Sequence, residues 1–165
     1  MGEPGTRLTT YMRGRNNPYL AVLIIGFGII TTGWKEVDKK IQSGNKLFHT
    51  HCASCHGKKG VGQDPKQPMG GWDEKDRPIA PALDGTAHAW HHAPQVLFGY
   101  MKKGSVDKES PMPLFKDILT EEEMVNIIRY IQSLWPPETV KGYRESFKKE
   151  LEEFKCDPPL LAVEN

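Results

Sequence analysis

The sequence predicts an all-α protein, and three patterns support this fold class. Apolar residues recur at steps of three and four along several segments, which is the period of an amphipathic helix. No segment alternates apolar and polar residues in the way that a half-buried strand does. Stretches rich in glycine and proline separate the helical segments. The 165 residues are therefore expected to form one compact domain with extensions.

Charge and cysteine content exclude several classes of protein. The formal net charge is +1 and no basic stripe is visible, so the sequence gives no sign of nucleic-acid binding. The three cysteines, at positions 52, 55 and 156, are too few for a disulfide framework once the first two share a motif. We expect Cys156, near the carboxyl end, to be a free thiol.

An uncharged stretch at residues 18–34 predicts a transmembrane helix. Its length lies at the short end of what spans a bilayer. The preceding arginines at positions 7, 13 and 15 place residues 1–17 in the cytoplasm and the rest of the chain on the other side. A cleaved signal peptide is the alternative, but no cleavage pattern of small residues follows the apolar run. We therefore expect a retained anchor.

The segment after the anchor, residues 36–51, is predicted to be an amphipathic helix. Its apolar face comprises Val37, Ile41, Gly44, Leu47 and Phe48. A glycine inside a helix is costly, and its presence indicates that another helix crosses closely.

Directly after this helix, residues 52–56 read Cys-Ala-Ser-Cys-His. This is the spacing of a covalent attachment site for c-type haem. The thiols of Cys52 and Cys55 can each add across a porphyrin vinyl group, and His56 can reach the iron from the proximal side. A zinc site requires a second Cys/His pair, and a dithiol redox site requires a strand–helix pattern. The sequence shows neither.

A long loop is predicted between the haem motif and the next helix. Residues 57–80 are rich in glycine, proline and charge, with one turn expected around residues 69–72. A loop of this length is unusual in a compact domain unless it wraps a bound group, and haem is such a group. A short helix is then predicted over residues 94–103, ended by Gly104.

Met112 is the principal candidate for a second iron ligand. Pro111 and Pro113 hold it in extended chain, so its thioether is presented by a stiff loop and not packed into a helix. A thioether opposite histidine closes the iron and favours electron transfer. Other methionines and histidines remain open as alternatives: Met69, Met101, Met124, His88, His91 and His92.

The last part of the domain is predicted to be a helix followed by a charged extension. Thr120 and Glu123 form a capping-box pattern that opens a helix reaching Trp135, where two prolines stop it. Beyond it, residues 140–154 are predicted to form one amphipathic helix with a narrow apolar stripe. This helix could lie on the domain itself or on another subunit.

Taken together, these motifs resemble the class I (monohaem) cytochrome c family of the membrane-anchored bacterial type. They occur in family order over residues 36–135. The matching pieces are Gly44-x-x-x-Phe48, the motif at residues 52–56, residues 80–85, residues 111–115, and residues 119–123 leading into residues 130–135.

The resemblance implies the fold and the site. It implies three to five helices around one haem c over residues 35–135. The amphipathic extension at residues 136–165 departs from the minimal family pattern. The resemblance also implies that Gly44 and Phe48 cross the last helix near Tyr130, and that the backbone carbonyl of Pro81 accepts the ring N–H of His56. Met112 takes the family's distal methionine position.

The function that follows is single-electron transfer between redox partner proteins, without a small-molecule substrate. We expect the haem domain on the periplasmic side of a bacterial inner membrane, as a subunit of a respiratory or photosynthetic electron-transfer complex. We expect an electron carrier and not an enzyme. The alternative is a haem peroxidase or a gas-binding sensor with an open distal site.

Overall fold

The computed structural model describes the backbone of residues 18–104 and 112–154, with side chains from residue 35 onward. The chain divides into two units, residues 1–34 and residues 35–165. The residues discussed above that lie outside the described ranges are Arg7, Arg13, Arg15, Pro111 and Cys156.

The described part of the chain is mostly helical, as predicted. The α-helices are α1 (Pro18–His51), α2 (Ala53–His56), α3 (Pro94–Lys103), α4 (Glu121–Ser133), α5 (Pro137–Ser146) and α6 (Lys148–Phe154). Single 3-10 turns occur at Lys58–Gly60 and Ala89–His91, and two short strands are β1 (Gly71–Trp72) and β2 (Pro78–Ile79).

The segment predicted as a membrane anchor lies within the first half of α1. Its backbone is helical from Pro18, whereas the side chains of residues 18–34 are outside the described part. Within the part of the chain that the structure does describe, no helix has both the length and the apolar character needed to cross a bilayer. The anchor therefore stays a prediction.

Helices α1 and α4 cross at Gly44, as predicted. A Cβ atom added to Gly44 would overlap the backbone carbonyl of Asn126 and lie 3.0 Å from the Cβ of Tyr130. One turn later, Phe48 is fully buried with its ring centroid 5.2 Å from that of Tyr130. The predicted apolar face holds except at Val37, which is 41% exposed. Val37 lies before the crossing.

Helix α4 begins with the predicted capping box. The Thr120 hydroxyl accepts a hydrogen bond from the Glu123 amide at 3.3 Å, and the Glu123 carboxylate accepts one from the Thr120 amide at 2.8 Å. The buried face of α4 then supplies Met124, Ile127, Ile128 and Ile131 to the core. These two hydrogen bonds fix where the central helix starts.

The loop after the haem motif contains a small hairpin, so the expectation of no strand was wrong. Strands β1 and β2 pair antiparallel, with Gly71 opposite Ile79. The Asp73 carboxylate closes the turn, because it accepts hydrogen bonds from the Lys75 amide at 2.8 Å and the Arg77 amide at 2.9 Å. Strands of two residues are too short to show alternation in a sequence.

The extension forms two helices where one was predicted. The break is at Phe147, whose φ and ψ of −120° and 29° end α5 and allow α6 to change direction. This change of direction brings Phe154 against Phe98 of α3, with ring centroids 5.2 Å apart. Tyr143 and Leu151 are buried in the same apolar core as α4. The extension therefore packs on its own domain.

The crossing at Gly44 predicts a large loss of stability from one added methyl group. Gly44→Ala is expected to lower the free energy of unfolding by about 1–3 kcal/mol or more, because the Asn126 carbonyl is backbone and cannot rotate away. Gly142→Ala is the matched control, since nothing lies within 4 Å of its added Cβ in α5. The control should gain about 0.5–1 kcal/mol from helix propensity. Denaturant unfolding of the haem-bound protein measures both values, and equal stabilities would contradict the crossing.

The capping box predicts a pH-dependent contribution to stability. Hydrogen bonds from the Thr120 amide and hydroxyl lower the pKa of Glu123 in the folded protein. The contribution of Glu123 to the free energy of unfolding is therefore present at a pH above its unfolded pKa. This contribution is lost as the pH falls through the lower pKa of the folded state. The difference in Tm between the wild type and Glu123→Ala should narrow from neutral pH into acid. Glu122→Ala is the control, because the carboxylate that binds Thr120 belongs to Glu123; an equal narrowing there would refute the assignment.

Candidate haem-binding site

A cavity of about 310 Å³ lies inside the second unit. The end of α1, α2, the segments at 78–83 and 88–92, α3, the chain after Met112, and α4 all contribute to its wall. Most of this wall is apolar, with Ile79, Leu97, Phe115, Ile127 and Ile131 among the contributors. A large planar apolar group with a few polar contacts suits such a lining.

The Cys-x-x-Cys-His motif faces this cavity. The carbonyl of Cys52 accepts hydrogen bonds from the amides of Cys55 at 3.1 Å and His56 at 2.9 Å. This single helical turn puts residues three apart on one face, so both sulfur atoms can reach one group. Cys52, Cys55 and His56 all line the cavity.

The thiol of Cys52 is held in its neutral form. Burial, followed by the nearby Cys55, raises the pKa of Cys52 to about 11. The group is therefore an S–H at neutral pH. Addition to a vinyl group needs both atoms, because sulfur bonds to one carbon and hydrogen to the other. The addition therefore consumes the thiol as it stands and needs no oxidant.

The ring of His56 is fixed by the backbone. Its Nδ1 lies 2.8 Å from the carbonyl oxygen of Pro81, so Nδ1–H is the donor and Nε2 keeps its lone pair. Burial lowers the pKa of His56, and the hydrogen bond to Pro81 opposes part of that shift. The ring is therefore neutral and held in one orientation, and a neutral imidazole is the form that binds a metal. The contact implied by the family resemblance is present.

Met112 lies on the wall of the same cavity and is half-buried. Two contacts hold its segment against the end of α3. The Phe115 amide donates to the Met101 carbonyl at 2.8 Å, and Gly104, with φ 75°, leaves room for the Met112 carbonyl, which a Cβ there would approach to 2.9 Å. The thioether is thus presented by a chain segment tied to a helix, and not by a free loop.

The alternative ligand candidates divide into two groups. Met69 is 58% exposed, Met124 is buried in the core, and His91 is exposed with its ring stacked 3.6 Å from that of Trp90. None of these three lines the cavity. The other three candidates, Met101, His88 and His92, do line it.

Two supports of the cavity wall have no signal in the sequence. Gln63 forms two hydrogen bonds with Ala80, both at 3.1 Å. The backbone N–H of Gln63 donates to the Ala80 carbonyl, and the side-chain oxygen of Gln63 accepts from the Ala80 backbone N–H. The indole of Trp135 donates to the Leu83 carbonyl at 2.9 Å. These partners are 17 and 52 residues apart. Together they hold the chain on either side of Pro81, which orients His56.

Comparison with known protein families matches residues 41–135 to the family model described as Cytochrome c. The match covers more than half of the 165 residues and includes the motif at 52–56, Pro81 and Met112. The chain belongs to the cytochrome c family. Comparisons with curated proteins and with solved structures found no match. Helices α5 and α6 lie beyond the matched range.

Membership of the cytochrome c family implies a covalently bound haem c, and the residues present fit that group. The cavity offers two thiols on one helical face, a neutral oriented imidazole, a thioether and an apolar lining. Family membership therefore supports a haem-binding electron carrier.

Proposed function

We propose that this protein is a membrane-anchored monohaem cytochrome that passes single electrons between redox partner proteins on the periplasmic side. His56 and Met112 are the proposed iron ligands, and Cys52 and Cys55 are the proposed attachment points. The observation that carries the proposal is that all four residues line one cavity although Met112 is far from the motif in sequence.

The protein's part in this function is to prepare the site. Haem, when bound, supplies a one-electron couple between ferric and ferrous iron. The Pro81 carbonyl keeps the His56 ring in one tautomer and orientation. The segment tied to α3 keeps Met112 within the cavity. The apolar wall excludes water, so less solvent has to reorganise when the charge on the iron changes.

The proposed route for electrons is through exposed residues of the cavity wall. Cys55 and Pro113 both line the cavity and are both exposed. The lysines 58 and 59, which follow the motif in sequence, are exposed, and Leu114, next to Pro113, is 43% exposed. A small surface of this composition suits brief contacts with a redox partner. We therefore place partner docking here.

Support for the membrane anchor comes from the sequence. Residues 18–34 contain no charge, and the flanking arginines favour a cytoplasmic amino terminus. An anchor would limit the search for partners to the membrane surface or fix the domain within a respiratory or photosynthetic complex. The extension does not distinguish a free carrier from a complex subunit, because its apolar stripe packs against its own domain.

The ligand role of Met112 predicts a specific spectroscopic loss. Met112→Ala is expected to abolish the near-infrared sulfur-to-iron absorption band of the ferric protein and to allow carbon monoxide binding in the ferrous form. The reduction potential should fall, because thioether sulfur favours the ferrous state. Met69→Ala is the matched control, since this exposed methionine does not line the cavity.

Other outcomes would identify other ligands or another function. A band that survives in Met112→Ala and disappears in Met101→Ala would assign the thioether to Met101. A wild-type protein that lacks the band and binds carbon monoxide readily would overturn the carrier proposal in favour of a peroxidase or gas sensor.

The anchor can be tested in the full-length chain. Ile24→Asp with Ile25→Asp should release the protein from membranes washed with alkaline carbonate, because each central aspartate costs about 2.5–3.5 kcal/mol in a bilayer. Ile24→Leu with Ile25→Leu is the control and should stay in the membrane fraction. In spheroplasts, added protease should digest the wild-type haem domain. A wild-type chain released by carbonate would refute the anchor.

A further inference from the structure

Two carboxylates enter the cavity with every haem, since each porphyrin carries two propionates. A carboxylate placed against an apolar wall is costly unless a donor meets it. None of the described residues that line the cavity is a lysine or an arginine. Among the described lining residues, the possible side-chain partners are therefore neutral or titratable groups.

Apart from the attachment motif, five lining residues have side chains that can donate hydrogen bonds: His51, Gln63, His88, His92 and Tyr100. His51 directly precedes Cys52, so it would lie on the side of the haem that carries the thioether bonds and not on the side of the propionates. The side-chain oxygen of Gln63 accepts from the Ala80 amide, which leaves its Nε2 amino group as the donor.

His88 and His92 stand out because their rings form a pair. A 3-10 turn lies between these two residues, which are four apart in sequence. The turn is closed by a hydrogen bond from the His91 amide to the His88 carbonyl at 3.0 Å. Their ring centroids are 5.7 Å apart, and the His92 ring also packs against Tyr100 at 6.2 Å. Burial, followed by the nearby His88 and His91, lowers the pKa of His92, a penalty that an adjacent anion would offset.

The extension beyond the family domain contacts this pair. The hydroxyl of Tyr143 in α5 donates to the backbone carbonyl of His92 at 3.0 Å. Tyr143 is itself buried, with its ring 4.9 Å from that of Trp135, whose indole binds Leu83 on the cavity wall. The side-chain amide of Gln95 donates to the Glu150 carbonyl at 3.3 Å, which ties the start of α3 to α6. The backbone that carries His92 is thus held from outside the family domain.

We propose that His88 and His92 bind the haem propionates, and that Tyr143 of the extension is a positioning residue for His92. A donor at a propionate offsets negative charge near the iron, and removing it favours the ferric state. The extension thereby tunes the reduction potential of a haem that it does not touch. The proposal rests on haem binding in this cavity and holds whether Met112 or Met101 is the distal ligand.

The test uses the full-length haem protein with carbon-13 at the propionate carboxyls. Infrared difference spectra between the oxidised and reduced forms report hydrogen bonding at those carboxyls. His92→Phe and His88→Phe keep an aromatic ring and remove the donor. Each is expected to shift the carboxylate bands and to lower the reduction potential. The expected change in the ferric-to-ferrous ratio at fixed potential is up to about tenfold, or about 59 mV for one electron.

Matched variants separate this role from a structural one. His91→Phe should leave bands and potential unchanged, because His91 does not line the cavity. His92→Gln restores a donor and should recover part of the shift. Tyr143→Phe should move the same bands in the same direction, whereas Leu151→Val should lower the Tm without moving them.

Three results would overturn the proposal. Unchanged carboxylate bands in both His88→Phe and His92→Phe would remove the propionate role. Loss of the near-infrared band in His92→Phe would show that His92 is required for iron ligation and is not only a propionate partner. A Tyr143→Phe variant that is less stable but has the carboxylate bands of the wild type would show that Tyr143 only packs in the core and does not position His92. The distal ligand is tested separately by Met112→Ala, so the two failures are distinguishable.

Discussion

The close crossing of α1 and α4 at Gly44 is the contact on which the rest of this domain depends. Because Gly44 has no side chain, α1 lies directly against the backbone of α4 at Asn126. Phe48 then fills the space one turn later. The end of α1 is fixed by this packing, and Cys52 follows it immediately. The orientation of the attachment motif towards the cavity is therefore set by a helix–helix contact eight residues before the first thiol.

The remaining walls of the cavity are positioned by hydrogen bonds between distant segments. Pro81 orients His56, and the chain around Pro81 is held by Gln63 on one side and by Trp135 through Leu83 on the other. On another side, Tyr143 holds the backbone at His92. The family domain and the extension thus share one apolar core, even though the family match ends at residue 135. An addition of this kind can change a redox site without changing its ligands.

Much of the local structure could be predicted because it depends on neighbours in sequence. The capping box at Thr120 and Glu123 is complete within four residues, and α3 has the predicted bounds. The hairpin and the two-helix extension were missed for a different reason. Two-residue strands have no readable period, and the break at Phe147 accompanies the packing of Phe154 against Phe98, which are 56 residues apart.

The residue pattern alone identified the groups of the site: two thiols and an imidazole at fixed spacing, and a methionine between prolines. These features are covalent or lie within a few residues of one another, so they can be recognised along the chain. Which side chains share the cavity depends on contacts across tens of residues, so it was settled by the fold. The fold separated Met112, His88 and His92 from Met69, Met124 and His91, and it placed the extension against the haem domain. Burial and long-range hydrogen bonds made those choices, and neither has a local signature.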